Sequence, residues 1–438
     1  MLERTELFPG VFFNALQTDK FKSDCLSVSL LTALDRDTIS KNALLPRVLA
    51  RGSARYPDMD AVNAACDELY GARVIPVVRK VGEMVTLGFY AGFLADRFTP
   101  DGSALLESVA ALVGELLLHP ASEGGALRAD YVESEKEKLI EDIRGRVNDK
   151  RAYSAFRLIE QMFCYEAYGC DDMGTEGSVS EVDAQGLTAY YRSLLAASPV
   201  EIFYCGAADS ARAAAAVRNA LAELPRGELN WELGTDIRMN TVEARPRFFE
   251  ETMEVGQGKL CLGFRLGDSM EDPDFAALRV FNALYGGTVT SKLFLNVREK
   301  LSLCYYASSA LDRFKGALFV FSGIEAGNLE LARGEILSQL RDVAEGRFTE
   351  SELNSARKAV AGDLRSAADS PGALEHYYLA QTLLGLDYGP EEFAGMCEAV
   401  TAPQVAKIAA GAALDAVYFL HGETEDPEDW EDFDDAEA

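Results

Sequence analysis

Histidine is almost missing from this chain. Three occur in 438 residues, His119, His376 and His421, and no two fall within one helical turn of each other. His119 ends a helical pattern before Pro120, His376 sits among apolar and aromatic residues, and His421 closes an apolar strand. Cap and core roles account for all three. Zinc sites are assembled from clustered histidine, cysteine or carboxylate ligands, and proton transfer near neutral pH most often uses imidazole. This set is too sparse for either. The eight cysteines do not fill the gap: none forms a CxxC, and most lie in apolar runs such as "EIFYC" and "KLCLGF". They read as reduced, buried thiols of a cytoplasmic protein.

Other absences narrow the field further. There is no GxSxG elbow, no Walker A loop and no GxGxxG; "GGTVTSK" (286–292) lacks the glycine before its lysine. No run of about 18 uncharged apolar residues is present, so no membrane-spanning helix is expected. The opening "MLERTELFPG" has no apolar stretch of the secretory kind. Basic residues are in deficit, 42 Lys and Arg against 71 Asp and Glu, for a formal charge of −29. Nucleic acid and anionic membrane are therefore poor partners. The segment 423–438 alone holds ten acidic residues and no Lys or Arg, which leaves −19 for the rest. It reads as a solvated, disordered tail, with an acidic docking peptide anchored by Trp430 and Phe433 as the alternative.

What is there suffices for a large packed protein: 48% of the residues are apolar and 10% of all residues are aromatic. Strand-like runs ("CLSVSLLTAL", "MVTLGFYAGF", "VEIFYCG", "KLCLGFRL", "LCYYASSAL", "ALFVFSGIE", "AVYFLHG") alternate with helical patterns over 103–118, 128–146, 150–165, 182–195, 208–223, 271–285, 327–344 and 350–367. Thr349 and Glu352 form a capping-box signature before the last of these. The mixture predicts an α+β layered architecture. Residues 26–53 and 260–287 align without a gap, each an apolar strand, an acidic turn and a helix ending at glycine. Residues 139–169 align with 359–389 in the same order, so the chain reads as two copies of one fold. The expected division is 1–225, a linker over 226–247, and 248–422, because the stretch near 224–248 has Gly, Pro and charge but little apolar periodicity.

One constellation offers chemistry. In "SKLFLNVREKLSLCYYASSAL", Arg298 lies near a helix end and Tyr305 follows seven residues later on entering a strand. A helix-end cation and a half-buried strand aromatic is the plain reading. The functional one is a guanidinium and a phenol donating to one peptide carbonyl, which holds an extended peptide or stabilises an oxyanion.

The segment "LCLGFRLGDSMEDPDFAALRVFNALYGGTVTSKLFLNVREKLSLCYYASSAL" resembles the C-terminal domain of insulinase/pitrilysin-type (M16) metallopeptidases, and "GVFFNAL" through "YEAYG" resembles the N-terminal one. The resemblance implies two homologous M16-type α/β domains, each an antiparallel-rich sheet covered by helices, forming half of a clamshell. It also implies an HxxEH motif on a helix of the first half. There Ala43 and Arg47 take the two histidine positions, Pro46 takes the glutamate position, and Asp142 stands where the third ligand belongs. The motif is lost, and no cofactor is expected. Arg298 and Tyr305 keep the type and spacing of the substrate-binding Arg/Tyr pair. The resemblance thus points to a non-catalytic subunit that is not an enzyme on its own. It would form a heterodimer with an HxxEH-bearing homologue and lend Arg298 and Tyr305 to a shared peptide chamber. Zinc-less bacterial members of this type include some whose names link them to modification of elongation factor P. The alternative is a non-enzymatic peptide-binding or scaffold homodimer.

Overall fold

A computed structural model of the protein describes residues 2–238, 240–267 and 274–422; the acidic tail over 423–438 lies outside the described residues. The chain divides into two compact units, and neither is contiguous. The first comprises Met1–Gly145, Phe163–Asp236 and Val360–Glu398; the second comprises Arg146–Met162, Ile237–Ala359 and the chain from Ala399 on. Among the described residues no helix is long and apolar enough to cross a membrane.

The first unit is built on a six-stranded sheet. Its strands are β1 (Glu3–Phe8), β2 (Val11–Gln17), β3 (Ser23–Ala33), β4 (Arg73–Val81), β5 (Met84–Leu94) and, after the short hairpin of β6 (Ser122–Glu123) and β7 (Ala126–Leu127), β8 (Val200–Gly206). Their spatial order is β1-β2-β8-β3-β5-β4. Only β2 and β8 run parallel. The side-chain period of two sorts the central strands into unlike faces. Leu26, Val28, Leu30, Leu87, Phe89, Phe93, Ile202 and Tyr204 belong to the main core, shared with the helices Ile39–Leu49, Leu105–Leu118, Ala184–Ala197 and Ser210–Ala220. The alternate residues of β3, Cys25, Ser27 and Ser29, are small and also buried.

The second unit repeats this plan. Strands β9 (Arg247–Thr252), β10 (Gly258–Arg265), β11 (Cys304–Asp312), β12 (Ala317–Ile324) and β13 (Ala413–His421) form a five-stranded sheet in the order β11-β12-β10-β13-β9. Again a single pair, β9 with β13, is parallel. Strands β2, β3, β4, β5 and β8 therefore correspond one to one with β9, β10, β11, β12 and β13, in chain order and in space. The first unit adds only β1. The duplication read from 26–53 and 260–287 is thus present in the hydrogen-bonded topology, and the α+β class with it.

The small-residue face of each sheet is covered by a helix from the opposite half of the sequence. Helix Pro371–Leu383 lies on β3 and β8 of the first unit, where Tyr378 stacks on Phe203 at 5.9 Å and Glu375, 1% exposed, receives two bonds of 2.9 Å from Arg79 of β4. Helix Lys150–Met162 lies on β10 and β13 of the second unit. There Tyr153 and Tyr418 donate to Glu251 at 2.8 and 2.7 Å, and Arg157 adds a bond of 3.2 Å. Arg247 donates to the carbonyls of Gln161 and Met162 at this helix's C-terminus and, with the buried Arg265, neutralises the buried Asp415. A cation there meets the negative end of the helix dipole. These two helices are the paired segments of the second sequence repeat, 139–169 and 359–389.

Between the repeats, residues 225–246 hold no helix or strand among the described residues. Arg226 donates to the carbonyls of Pro9, Leu195 and Ser198, and the amides of Gly227 and Asn230 bond to Ala196 and Ala197, which straps the start of this stretch to the first unit. The exchange has a direct consequence for fragments. A chain ending at Asp236 lacks Pro371–Leu383, so the half-buried Arg79 and the buried Phe203 and Cys205 lose their cover. It is expected to bind hydrophobic dye and to melt without a cooperative transition, and mixing with 237–438 restores that transition in circular dichroism.

Candidate functional site

Helix Ile39–Leu49 is held by buried Ile39, Leu44, Leu45, Val48 and Leu49 and carries Pro46 in its interior, where proline removes one backbone donor. Gly52 follows it with φ of 157°, and a Cβ there would stand 2.7 Å from the Tyr56 carbonyl oxygen; only glycine fits. Ala43, Pro46 and Arg47 on one face of the helix, with Ala50 and Arg51 just past its end, line a cleft of about 620 Å³. Strand β4 contributes Val74, Pro76 and Val78 to the same cleft, and helix Ala129–Gly145 contributes Glu135 and Lys138.

The structure brings Arg47 and Asp142 together. The guanidinium Nη1 donates to Asp142 Oδ2 at 2.7 Å. One helical turn on, Arg51 donates to Glu135 at 3.1 Å, and Lys138 reaches the same carboxylate oxygen at 2.7 Å. Arg51 and Lys138 were not singled out from the sequence, although the i, i+4 spacing of Arg47 and Arg51 and the 135, 138, 142 spacing of their partners carried the signal. Zinc does not fit this donor set. Alanine and proline offer no lone pair, a guanidinium is a permanent cation with donors only, and both carboxylates already serve cations. No group of three potential metal ligands exists among the described residues.

Arg298 and Tyr305 lie in the second unit, each at a local irregularity. The chain from Leu293 to Lys300 is a π-helix, an uncommon form that holds one more residue per turn than an α-helix. Leu293 and Val297 anchor it fully buried, while Arg298 points outward, its guanidinium 4.6 Å from the Phe294 ring and 3.5 Å from Glu299. The segment is braced by Asn296 on Gln339 at 2.7 Å and Lys292 on Glu352 at 2.7 Å. Gly286 ahead of it touches β11 so closely that a Cβ would meet Ser309 Oγ at 2.6 Å.

Tyr305 is the extra residue of a β-bulge. On the sheet's edge strand β11, Cys304 pairs with Ile324 and Tyr306 with Gly323, leaving Tyr305 between them. Bulges re-aim side chains, and this one makes Tyr305 66% exposed, its hydroxyl without a hydrogen-bond partner among the described residues. Its neighbour is committed: Tyr306 lies under the Arg151 guanidinium at 4.4 Å, and burial pushes its phenol up to about 12. Arg298 and Tyr305 make no direct contact with each other among the described residues, so a carbonyl they shared would be the element that joins them.

The comparisons with known proteins fit this geometry. A family model described as "Peptidase M16 inactive domain" matches residues 181–360. A relative from Bacillus subtilis (strain 168), "Probable inactive metalloprotease YmfF", is 33% identical over 415 residues, which is 94% of this chain and 96% of the relative. The chain belongs to the M16 peptidase family. Its place is among the inactive homologues. A crystal structure of a conserved protein from Enterococcus faecalis V583 superposes with a TM-score of 0.87 at 30% identity, over 97% of this chain and 99% of the other. A structure titled as a peptidase M16 inactive domain, from Pseudomonas fluorescens, has a TM-score of 0.79 at 18% identity and shares the fold.

If helix Ile39–Leu49 keeps the backbone of the zinc-binding helix, restoring the ligands should restore the metal. The variant A43H/P46E/R47H/D142E is expected to retain close to one zinc per chain after dialysis, measured by elemental analysis, whereas the parent retains none. Equal metal content in both would show that the helix is not so placed.

Proposed function

We propose that this chain is the non-catalytic subunit of a two-subunit peptidase, paired with a homologue that keeps HxxEH, and that it presents Arg298 and Tyr305 to the peptide substrate. The observation that carries the reading is Tyr305: a bulge holds an otherwise unpartnered phenol out from an edge strand, seven residues after an outward guanidinium. A buried hydroxyl would have satisfied the fold better. Held this way, the phenol and guanidinium supply donors for a carbonyl oxygen as it gains negative charge, while zinc and the general base come from the partner. Preorganised donors of this kind are worth about 10²- to 10³-fold each in turnover. The substituted motif at Ala43, Pro46 and Arg47 supports the division of labour, because those three positions offer neither a zinc ligand nor a general base.

Mixing the purified chain with a zinc-bearing homologue should give a complex whose peptidase activity exceeds that of either protein. In that complex R298A and Y305F are each expected to lower kcat about 100-fold with unchanged thermal stability. The neighbouring Y306F should stay within about threefold of the parent. No complex, or full turnover in both variants, would leave a peptide-holding homodimer as the better account.

A further inference from the structure

The cleft above helix Ile39–Leu49 has lost its metal ligands without filling in. In the second unit the aligned positions are Ala277, Val280 and Phe281, all fully buried. In the first unit Ala43 and Pro46 instead border about 620 Å³ of open space, a volume within the usual range of ligand sites. Its walls differ in character. One is apolar, formed by Val74, Pro76 and Val78 of β4 with Met59, Val62 and Met173. The other carries Arg47, Arg51 and Lys138.

Those three cations share two carboxylates, Asp142 and Glu135. With Asp172, also in the lining, the cluster comes to neutrality, a local exception in a chain of net charge −29. Donors remain to be used. Each guanidinium has five N–H groups, and each makes one carboxylate bond here. The Nε of Arg51 is buried with no acceptor, while its guanidinium lies 4.9 Å from the Tyr131 ring. A buried N–H without an acceptor carries a desolvation cost that a ligand oxygen would remove. Arg47 lies in the last turn of the helix and Arg51 just beyond its C-cap, and both line the same cleft, where one planar anion could accept from both.

We infer that this cleft binds the C-terminal carboxylate of a peptide whose last residue is apolar. The carboxylate accepts from Arg47 and Arg51, and the terminal side chain lies along Val74, Pro76 and Val78. An internal peptide carbonyl would present one neutral acceptor and leave the second arginine unused. Phosphate would meet the same donors but gain nothing from the apolar wall. The inference takes from the proposed function only the ligand class, a peptide. It needs no partner subunit and no Arg298 or Tyr305.

The test uses the intact chain alone and a short fluorescent peptide ending in leucine, as free acid and as amide, read by fluorescence polarisation. The free acid should bind at least tenfold more tightly than the amide. R47Q and R51Q should each weaken the acid about tenfold and leave the amide unaffected, with circular dichroism confirming the fold. D142N should tighten the acid severalfold, because it releases Arg47 and raises the local charge by one. Equal affinity of acid and amide, or a loss of binding in D142N, would overturn the inference. Either result could occur whether or not the chain pairs with a zinc-bearing homologue.

Discussion

A sheet buried on both faces has to be covered twice, and here the second cover of each sheet comes from the far half of the sequence. Helix Pro371–Leu383 closes the face of β3 and β8, and helix Lys150–Met162 closes that of β10 and β13. Neither helix could leave without stranding charge. Glu375 would abandon the arginine of β4, and Glu251 would lose two of its three donors. Breaking a buried ion pair from one side costs about 3–5 kcal/mol, a large fraction of the stability of an ordinary domain. The exchange therefore makes the two units one folding problem, although each has its own core. It also fixes β4 and β11, the edge strands that stand beside the substituted zinc motif and that hold Tyr305.

Helix Ile39–Leu49, which the resemblance aligns with the zinc-binding helix of active members, is held in place by apolar burial. Its second copy in this chain, Asp274–Asn282 continued by the π turn to Gly287, is held mainly by apolar burial, with Asn282 and Tyr285 hydrogen-bonded to Ser309 and the Ile336 carbonyl. In the first copy Leu44, Leu45, Val48 and Leu49 do the same work from the inner face. The Arg47–Asp142 pair joins the helix to Ala129–Gly145 as a metal would, but its strength is of another order. With both side chains partly exposed, such a pair is worth about 0–1 kcal/mol, against roughly 10 kcal/mol or more for structural zinc. The buried Glu135, gripped by Arg51 and Lys138, is the stronger tie.

How much of this was legible in the residues depends on which signal each feature leaves. The seven strands recognised from apolar, β-branched runs are central strands, together with the edge strand β11. Apart from the two-residue strands β6 and β7, those missed, β1, β2, β4 and β9, are edge or near-edge strands; "ERTELF" and "RFFEET" read as polar because water covers part of their surface. The capping box at Thr349 is present with both reciprocal bonds, 3.2 Å from the Glu352 amide and 2.7 Å from the Thr349 amide. The resemblance names Ala43, Pro46, Arg47 and Asp142 as motif positions, and of these Arg47 and Asp142 meet in space. The helix exchange left a trace in the second repeat, but periodicity states only which face of a helix is apolar. It does not say which sheet that face will meet.

The least legible features lie around Arg298 and Tyr305. A π turn and a β-bulge each insert one residue into a regular element, which barely alters a hydrophobic pattern averaged over ten residues. Their structural effect is large, because one residue turns an α-helix by 100° and reverses a strand's faces. Here the two insertions serve the same end. Val297 and Leu293 stay in the core while Arg298 faces out, and Tyr306 stays under Arg151 while Tyr305 faces out. Without the bulge, keeping Tyr306 and the following residues in register would leave no place for an extra outward residue between Cys304 and Tyr306. Such irregularities are retained where a side chain must point against the regular pattern. Two of them flanking one guanidinium and one phenol are difficult to explain by packing, since packing is served by the neighbours. Presentation of both groups to a common ligand is the account that the proposed function gives of them.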